Sequence, residues 1–198
     1  MADNRGPLLA VLAAGAAVLM MGGRRRDGTG AGAAKKKGAP APIWPIAQGP
    51  DPKIAMSGGK SLGASRPNNR QHAGIDIIAK AGLPLVATEG GTIVATNAWA
   101  GANAKSLLLE TDSGVVVNYG AVAPGSWHEF GVGVGSRVTA GQPIARIGQY
   151  PHGSTMLHFE LYAAGTRKNE QWSAGKNPPG NLLDPSGYLE RASKRVIS

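Results

Sequence analysis

A chain of 198 residues has room for one compact domain and an appendage. Thirty Gly and 14 Pro against 5% aromatic residues argue against a protein of long helices and favour short strands joined by tight turns. With no cysteine, a disulfide framework and a thiolate metal site are both excluded, so a transition metal must be held by His and carboxylates. The formal net charge of +9 is unevenly spread. Residues 1–42 hold seven Lys/Arg against two Asp, whereas the remainder holds fourteen against ten acids and is only mildly basic. That distribution disfavours a nucleic-acid-binding domain, which concentrates positive charge on its folded surface.

In chain order, the first predicted element is an apolar run from Pro7 to Gly22. As a helix it would be about 24 Å long, marginal for a bilayer. Pro7 suits a first helical turn and Gly22-Gly23 an end, so a short retained membrane anchor is expected. A signal peptide competes, but Met1 to Arg5 has little net positive charge and no A-x-A site is evident. Arg24 to Arg26 and Lys35 to Lys37 then stand in a Gly/Ala-rich stretch, read as a flexible basic linker. Its expected partner is an anionic lipid headgroup or envelope polymer. The expected location is membrane-associated or the cell envelope. Because basic residues C-terminal to the run conflict with export under the positive-inside rule, a phage virion component is the alternative.

From Ile43 onward short apolar segments alternate with Gly, Pro, Asn and Asp, placing one domain over 43–198 after an appendage over 1–42. Predicted strands are Gly74 to Ile78, Leu85 to Val86, Gly91 to Thr96, Ser106 to Thr111, Val115 to Tyr119, Gln142 to Ile147 and Met156 to Tyr162. Asp112-Ser113-Gly114 between two of them predicts a hairpin. The tail from Lys176 to Leu189 reads as an ordered loop against the sheet.

His72 precedes Asp76 by four residues, which on a strand puts both on one face. Fully extended, their Cα atoms would be about 13 Å apart, too far to share an ion unless the chain bends, and Gly74 is where bending is cheapest. By itself such a pair is more often a surface contact than a metal site. In Met156-Leu-His-Phe-Glu-Leu-Tyr162, alternation points Met156, His158, Glu160 and Tyr162 one way and Leu157, Phe159 and Leu161 the other. That segment alone fits a half-buried strand with a satisfied histidine.

Taken together, His72-Ala-Gly-Ile-Asp76, Gly82-Leu-Pro-Leu-Val-Ala87, Gly90-Gly-Thr-Ile-Val-Ala95, Val138-Thr-Ala-Gly-Gln-Pro-Ile-Ala145, Ile147-Gly148 and Leu157-His-Phe-Glu160 form an ordered series. The series resembles the lysostaphin/LytM-type zinc metallopeptidases, over about residues 55–165. The resemblance implies an all-β fold built on a small antiparallel sheet, here preceded by the apolar helix and basic linker. It also implies one Zn2+ held by His72, Asp76 and His158, and hydrolysis of peptide bonds in bacterial peptidoglycan. Two His and one carboxylate leave a position open for water, as in catalytic zinc sites. Glu160 is expected to orient a ligand imidazole, or to be a solvated strand carboxylate.

The chain departs from the family where two further histidines normally serve the attacking water and the oxyanion, because the matching positions are Met156 and Ala121. Neither side chain can move a proton. His128 and His152, in Gly/Pro-flanked segments beside the motifs, are candidate substitutes. The expectation is therefore a zinc endopeptidase of the cell wall, the alternative a non-catalytic peptidoglycan-binding or structural component of an envelope or phage particle.

Overall fold

The structure, a computed structural model, describes residues 40–99, 104–149 and 155–197. The apolar run, the basic clusters and His152 lie outside the described residues. Among those described, no helix is long and apolar enough to cross a membrane.

Among the described residues the domain's strands pair antiparallel throughout. Its strands are β1 (Ser65–Arg66), β2 (Arg70–Gln71), β3 (Ile75–Ile78), β4 (Pro84–Val86), β5 (Gly91–Ala98), β6 (Lys105–Thr111), β7 (Val115–Val122), β8 (Arg137–Val138), β9 (Pro143–Arg146), β10 (Met156–Ala163), β11 (Trp172–Ser173) and β12 (Leu182–Leu183). The main sheet runs β12-β10-β7-β6-β5-β8, and β3 pairs with the N-terminal half of β10. β4 and β9 form a separate ribbon, and β1, β2 and β11 a third small sheet.

All seven expected strands are present, with ends moved by at most three residues, the largest shift being at the end of β7. The hairpin β6–β7 closes through Gly114, whose φ of 88° only glycine adopts readily, and Thr111 Oγ1 accepts from the Val115 N–H across it. Five very short strands, β1, β2, β8, β11 and β12, carry no readable period because two residues cannot show one. The expected tail loop is more ordered than read. Leu182–Leu183 pairs with β10, and a helix α2 (Ser186–Ala192) inserts Tyr188, Leu189 and Ala192 into the core. Seven residues hold too few turns for a helical stripe to stand out between Pro185 and a polar end. Ahead of the sheet a one-turn helix, α1 (Pro52–Ser57), starts where the Asp51 side chain caps the Lys53 N–H.

One face of the sheet packs on the main core, where Leu107, Leu109, Val117, Tyr119, Leu157 and Phe159 are fully buried. Burying each large side chain contributes about 1.5–3 kcal/mol, which fixes the parity of β10 and so the direction of His158 and Glu160. The opposite face carries the smaller cluster of Leu108, Val116 and Tyr162, and there the cleft lies.

Candidate metal centre

The register of β3 on β10 sets Asp76 directly across from His158, and β7 places Gly120 on the other side of His158. His72 stands just after β2, and the chain bends at Gly74 before entering β3. A Cβ on Gly74 would lie 2.4 Å from the Phe159 carbonyl oxygen and 2.9 Å from His158 Nε2, so only glycine lets this segment lie against β10. The bend therefore shortens the path from His72 to Asp76 and brings both to His158.

Three atoms converge. His72 Nε2 is 3.1 Å from Asp76 Oδ1 and 2.9 Å from His158 Nδ1, and His158 Nδ1 is 2.9 Å from Asp76 Oδ1. All three residues are buried, and among the described residues they form the cluster that fits a single ion. Each imidazole is turned by its outer nitrogen. His72 Nδ1–H donates to the Ser61 carbonyl at 2.8 Å, and His158 Nε2–H donates to Glu160 Oε1 at 3.0 Å. A carbonyl and a carboxylate can only accept, so the inward nitrogens are the ones left with lone pairs.

Glu160 is held in turn. Its Oε2 accepts from Asn118 Nδ2 and, at 3.0 Å, from the Tyr162 hydroxyl, which itself accepts the Glu170 N–H at 2.8 Å. Arg66 donates through Nη2 to Asp76 Oδ2, the oxygen that points away from the histidines. Burial pushes the Asp76 carboxyl up, but hydrogen bonds and charge from His158 and His72 outweigh it and hold the group well below the usual carboxylate range. Burial lowers the His158 imidazole, whereas Asp76 and Glu160 raise it, and the pair of carboxylates wins, at about 9. The inward atoms are thus built to share a cation, a proton on His158 in its absence or a metal ion in its presence. Donor chemistry fits zinc: two imidazoles and one carboxylate oxygen, spaced a few tenths of an ångström closer than the roughly 3.3 Å expected for tetrahedral ligands with bonds of about 2 Å.

The three atoms sit at the floor of an open cleft of about 500 Å³ whose lining includes Trp99, Met156 and Trp172. Trp99 covers one side of His158, with ring centroids 4.6 Å apart, and lies over Gly120, where a Cβ would be 2.9 Å from the indole. Met156 faces the cleft as alternation predicts. Ala121 is buried, with φ of 62°, and is not among the lining residues. His128 is exposed on a 3-10 turn (Ser126–Phe130) against its neighbour Trp127 and does not line the cleft.

Sequence reasoning missed Arg66, Trp99 and Asn118. Asn118 could have been found by extending the parity of His158 and Glu160 onto the neighbouring strand. Trp99 follows the last residue of β5, outside any alternating run, and Arg66 lies in a strand of two residues.

A small antiparallel β fold gathers two imidazoles and a carboxylate, a group that could hold a metal ion, at the floor of an open cleft. The sequence profile of peptidase family M23 matches residues 70–170, just over half of the chain. The chain belongs to that family. Among solved structures, the antimicrobial peptidase lysostaphin from Staphylococcus simulans superposes with a TM-score of 0.51 at 23% identity, over 68% of this chain and 50% of that one. Its isolated catalytic domain gives 0.50 at 19% identity, over 68% of this chain and 95% of the domain. LytU gives 0.50 at 22%, over 70% and 88%. At such identities the likeness establishes the fold. The chain spans about half the length of the full lysostaphin chains it matches. Comparison with curated protein sequences found no match.

Proposed function

We propose that the protein is a zinc-dependent endopeptidase acting on peptide bonds of bacterial peptidoglycan. The observation that carries this reading is the convergence of His72 Nε2, Asp76 Oδ1 and His158 Nδ1 within 3.1 Å at the base of a cleft, in a chain of a peptidase family. Bound there, zinc supplies a water of lowered pKa, towards about 7, and polarises the scissile carbonyl.

The chain's own residues do the rest. Glu160 keeps the proton of His158 on Nε2, so that Nδ1 stays a donor to the metal, and Asn118 and Tyr162 fix Glu160. Arg66 engages Asp76 Oδ2 and leaves Oδ1 to face inward. Trp99 keeps water from one side of the His158 ring. Proton transfer cannot come from Met156 or Ala121. Of the two candidate substitutes, His152 is favoured by its place four residues before Met156, and His128 is disfavoured by its position away from the cleft lining.

Met156 at the family's histidine position is also what favours the second reading, a wall-binding component that keeps the metal and has lost hydrolysis. Either way the apolar run and basic clusters of residues 7–37 point to an envelope or particle surface as its place of action. Release of new amino groups from purified peptidoglycan by the zinc-loaded chain, with His158→Ala as the blank, separates the two. Amine release by wild type alone supports the peptidase, and silence from both with zinc bound supports the binding component.

A further inference from the structure

The hairpin β1–β2 turns through Pro67-Asn68-Asn69, with Asn68 and Asn69 at φ of 60° and 53°. It sets Arg66 and Arg70 directly opposite each other, and both line the cleft. Like charges at a cross-strand pair repel unless an anion lies between or beside them. Arg66 has one in Asp76. Arg70 does not: among the described residues its side chain makes one hydrogen bond, from Nε to the Pro67 carbonyl at a long 3.4 Å, and meets no carboxylate.

Among the described residues no acid of the cleft contacts it. Asp76 is shared by the two histidines and Arg66, Glu160 is taken by His158, Asn118 and Tyr162, and Glu170, which also lines the cleft, has its one ion pair with Lys168, at 3.9 Å. Arg70 is two residues before His72, so its Cα lies within about 7 Å of that ligand's along the chain. Across the cleft floor Trp99 and Trp172 provide flat apolar walls. A guanidinium at the rim of a partly apolar groove, close to the metal ligands and short of one anion, matches a planar carboxylate in geometry and charge.

We propose that Arg70 is the specificity-determining residue of this cleft and binds a free carboxylate of the wall peptide adjacent to the scissile bond. The inference rests on the wall-peptide reading above and narrows it to carboxylate-bearing peptides.

Two substrates test it: purified peptidoglycan as isolated, and the same material after carbodiimide and ammonia have turned its free carboxyl groups into amides. The zinc-loaded full chain is assayed on both by cosedimentation and by amine release. A lost charge-assisted hydrogen bond reads as about tenfold, so wild type should prefer the untreated wall by about that factor and Arg70→Gln should lose the preference. Arg70→Lys should retain part of it. Lys194→Gln, which removes the same charge from an exposed residue outside the cleft lining, should leave it intact. Equal treatment of both walls by wild type, or a preference in Arg70→Gln no weaker than in Lys194→Gln, overturns the carboxylate site while leaving the wall-peptide reading standing. Failure of zinc-loaded wild type to bind or cut either wall overturns both.

Discussion

Replacing Gly74 by Ala tests whether the approach of the His72–Asp76 segment to β10 builds the metal centre. The added carbon would stand 2.4 Å from the Phe159 carbonyl oxygen, 2.9 Å from the Glu160 Cγ and 2.9 Å from His158 Nε2. An ordinary contact needs about 3.5 Å, so the two segments must part by about 1 Å. The backbone oxygen cannot swing aside as a side chain would, and the neighbouring Ile75–Phe159 pair must move with it. Overpacking of this kind costs about 1–3 kcal/mol, and the backbone contact puts Gly74→Ala near the upper end. In a domain of this size that lowers Tm by about 5–10 °C. Because the same carbon presses on His158 and Glu160, zinc affinity should fall about 10–100-fold as well. Gly133, with nothing within 4 Å of its virtual Cβ, provides the control, and Gly133→Ala should stay within about 0.5 kcal/mol. Thermal unfolding of the metal-free chain and zinc competition against a chelator read the two effects. A Gly74→Ala chain with unchanged Tm and unchanged zinc affinity would refute the close-approach argument.

Glu160→Gln should weaken zinc by about tenfold or more without unfolding the domain, because the Asn118 amide, whose Oδ1 has no partner, can turn to accept from the new side chain. Glu160→Leu, which leaves Asn118, Tyr162 and the His158 Nε2–H without their acceptor, should also lower Tm. Zinc uptake should be pH-dependent with a definite sign. His158 in the metal-free chain holds its proton up to about pH 9 and must lose it to bind the ion. Affinity therefore falls about tenfold per unit as pH drops below that value, and close to one proton is released per ion at about pH 7.5. Calorimetry in two buffers of different ionisation heat reads the proton, and zero release contradicts the assignment of His158 Nδ1 as a ligand. Met156→His places an imidazole in the cleft beside the ligands and should raise amine release from peptidoglycan by about 10²-fold. No gain would mean that another group already moves the proton.

The parts of this domain legible in the sequence are those in which burial imposes a period. Met156 to Tyr162 could be read because Leu157, Phe159 and Leu161 must face the core, leaving His158 and Glu160 on the other side. The hairpin around Gly114 was legible from its turn residues, Asp112-Ser113-Gly114, between two strand-like runs. The need for a bend between His72 and Asp76 followed from strand length, and Gly74 supplies it through close approach to Phe159, with no left-handed backbone. What could not be read depends on pairing between segments far apart in sequence. Arg66 reaches Asp76 only because a two-stranded hairpin docks beside β11, and Trp99, just past the end of β5, reaches His158 by lying over Gly120 two strands away on β7. α2 was hidden because its packing, not a periodic pattern, orders it. His128 illustrates the converse: closeness in sequence to a motif did not bring it to the cleft.

The most direct test of the metal centre is zinc content and zinc X-ray absorption of the full chain after exhaustive removal of loosely held ions. The account predicts one zinc per chain, bound by two nitrogen donors and oxygen at about 2.0–2.2 Å, and loss of that ion in His72→Ala, Asp76→Ala and His158→Ala alike. A chain that retains its zinc in all three variants, or that binds none as wild type, would contradict it.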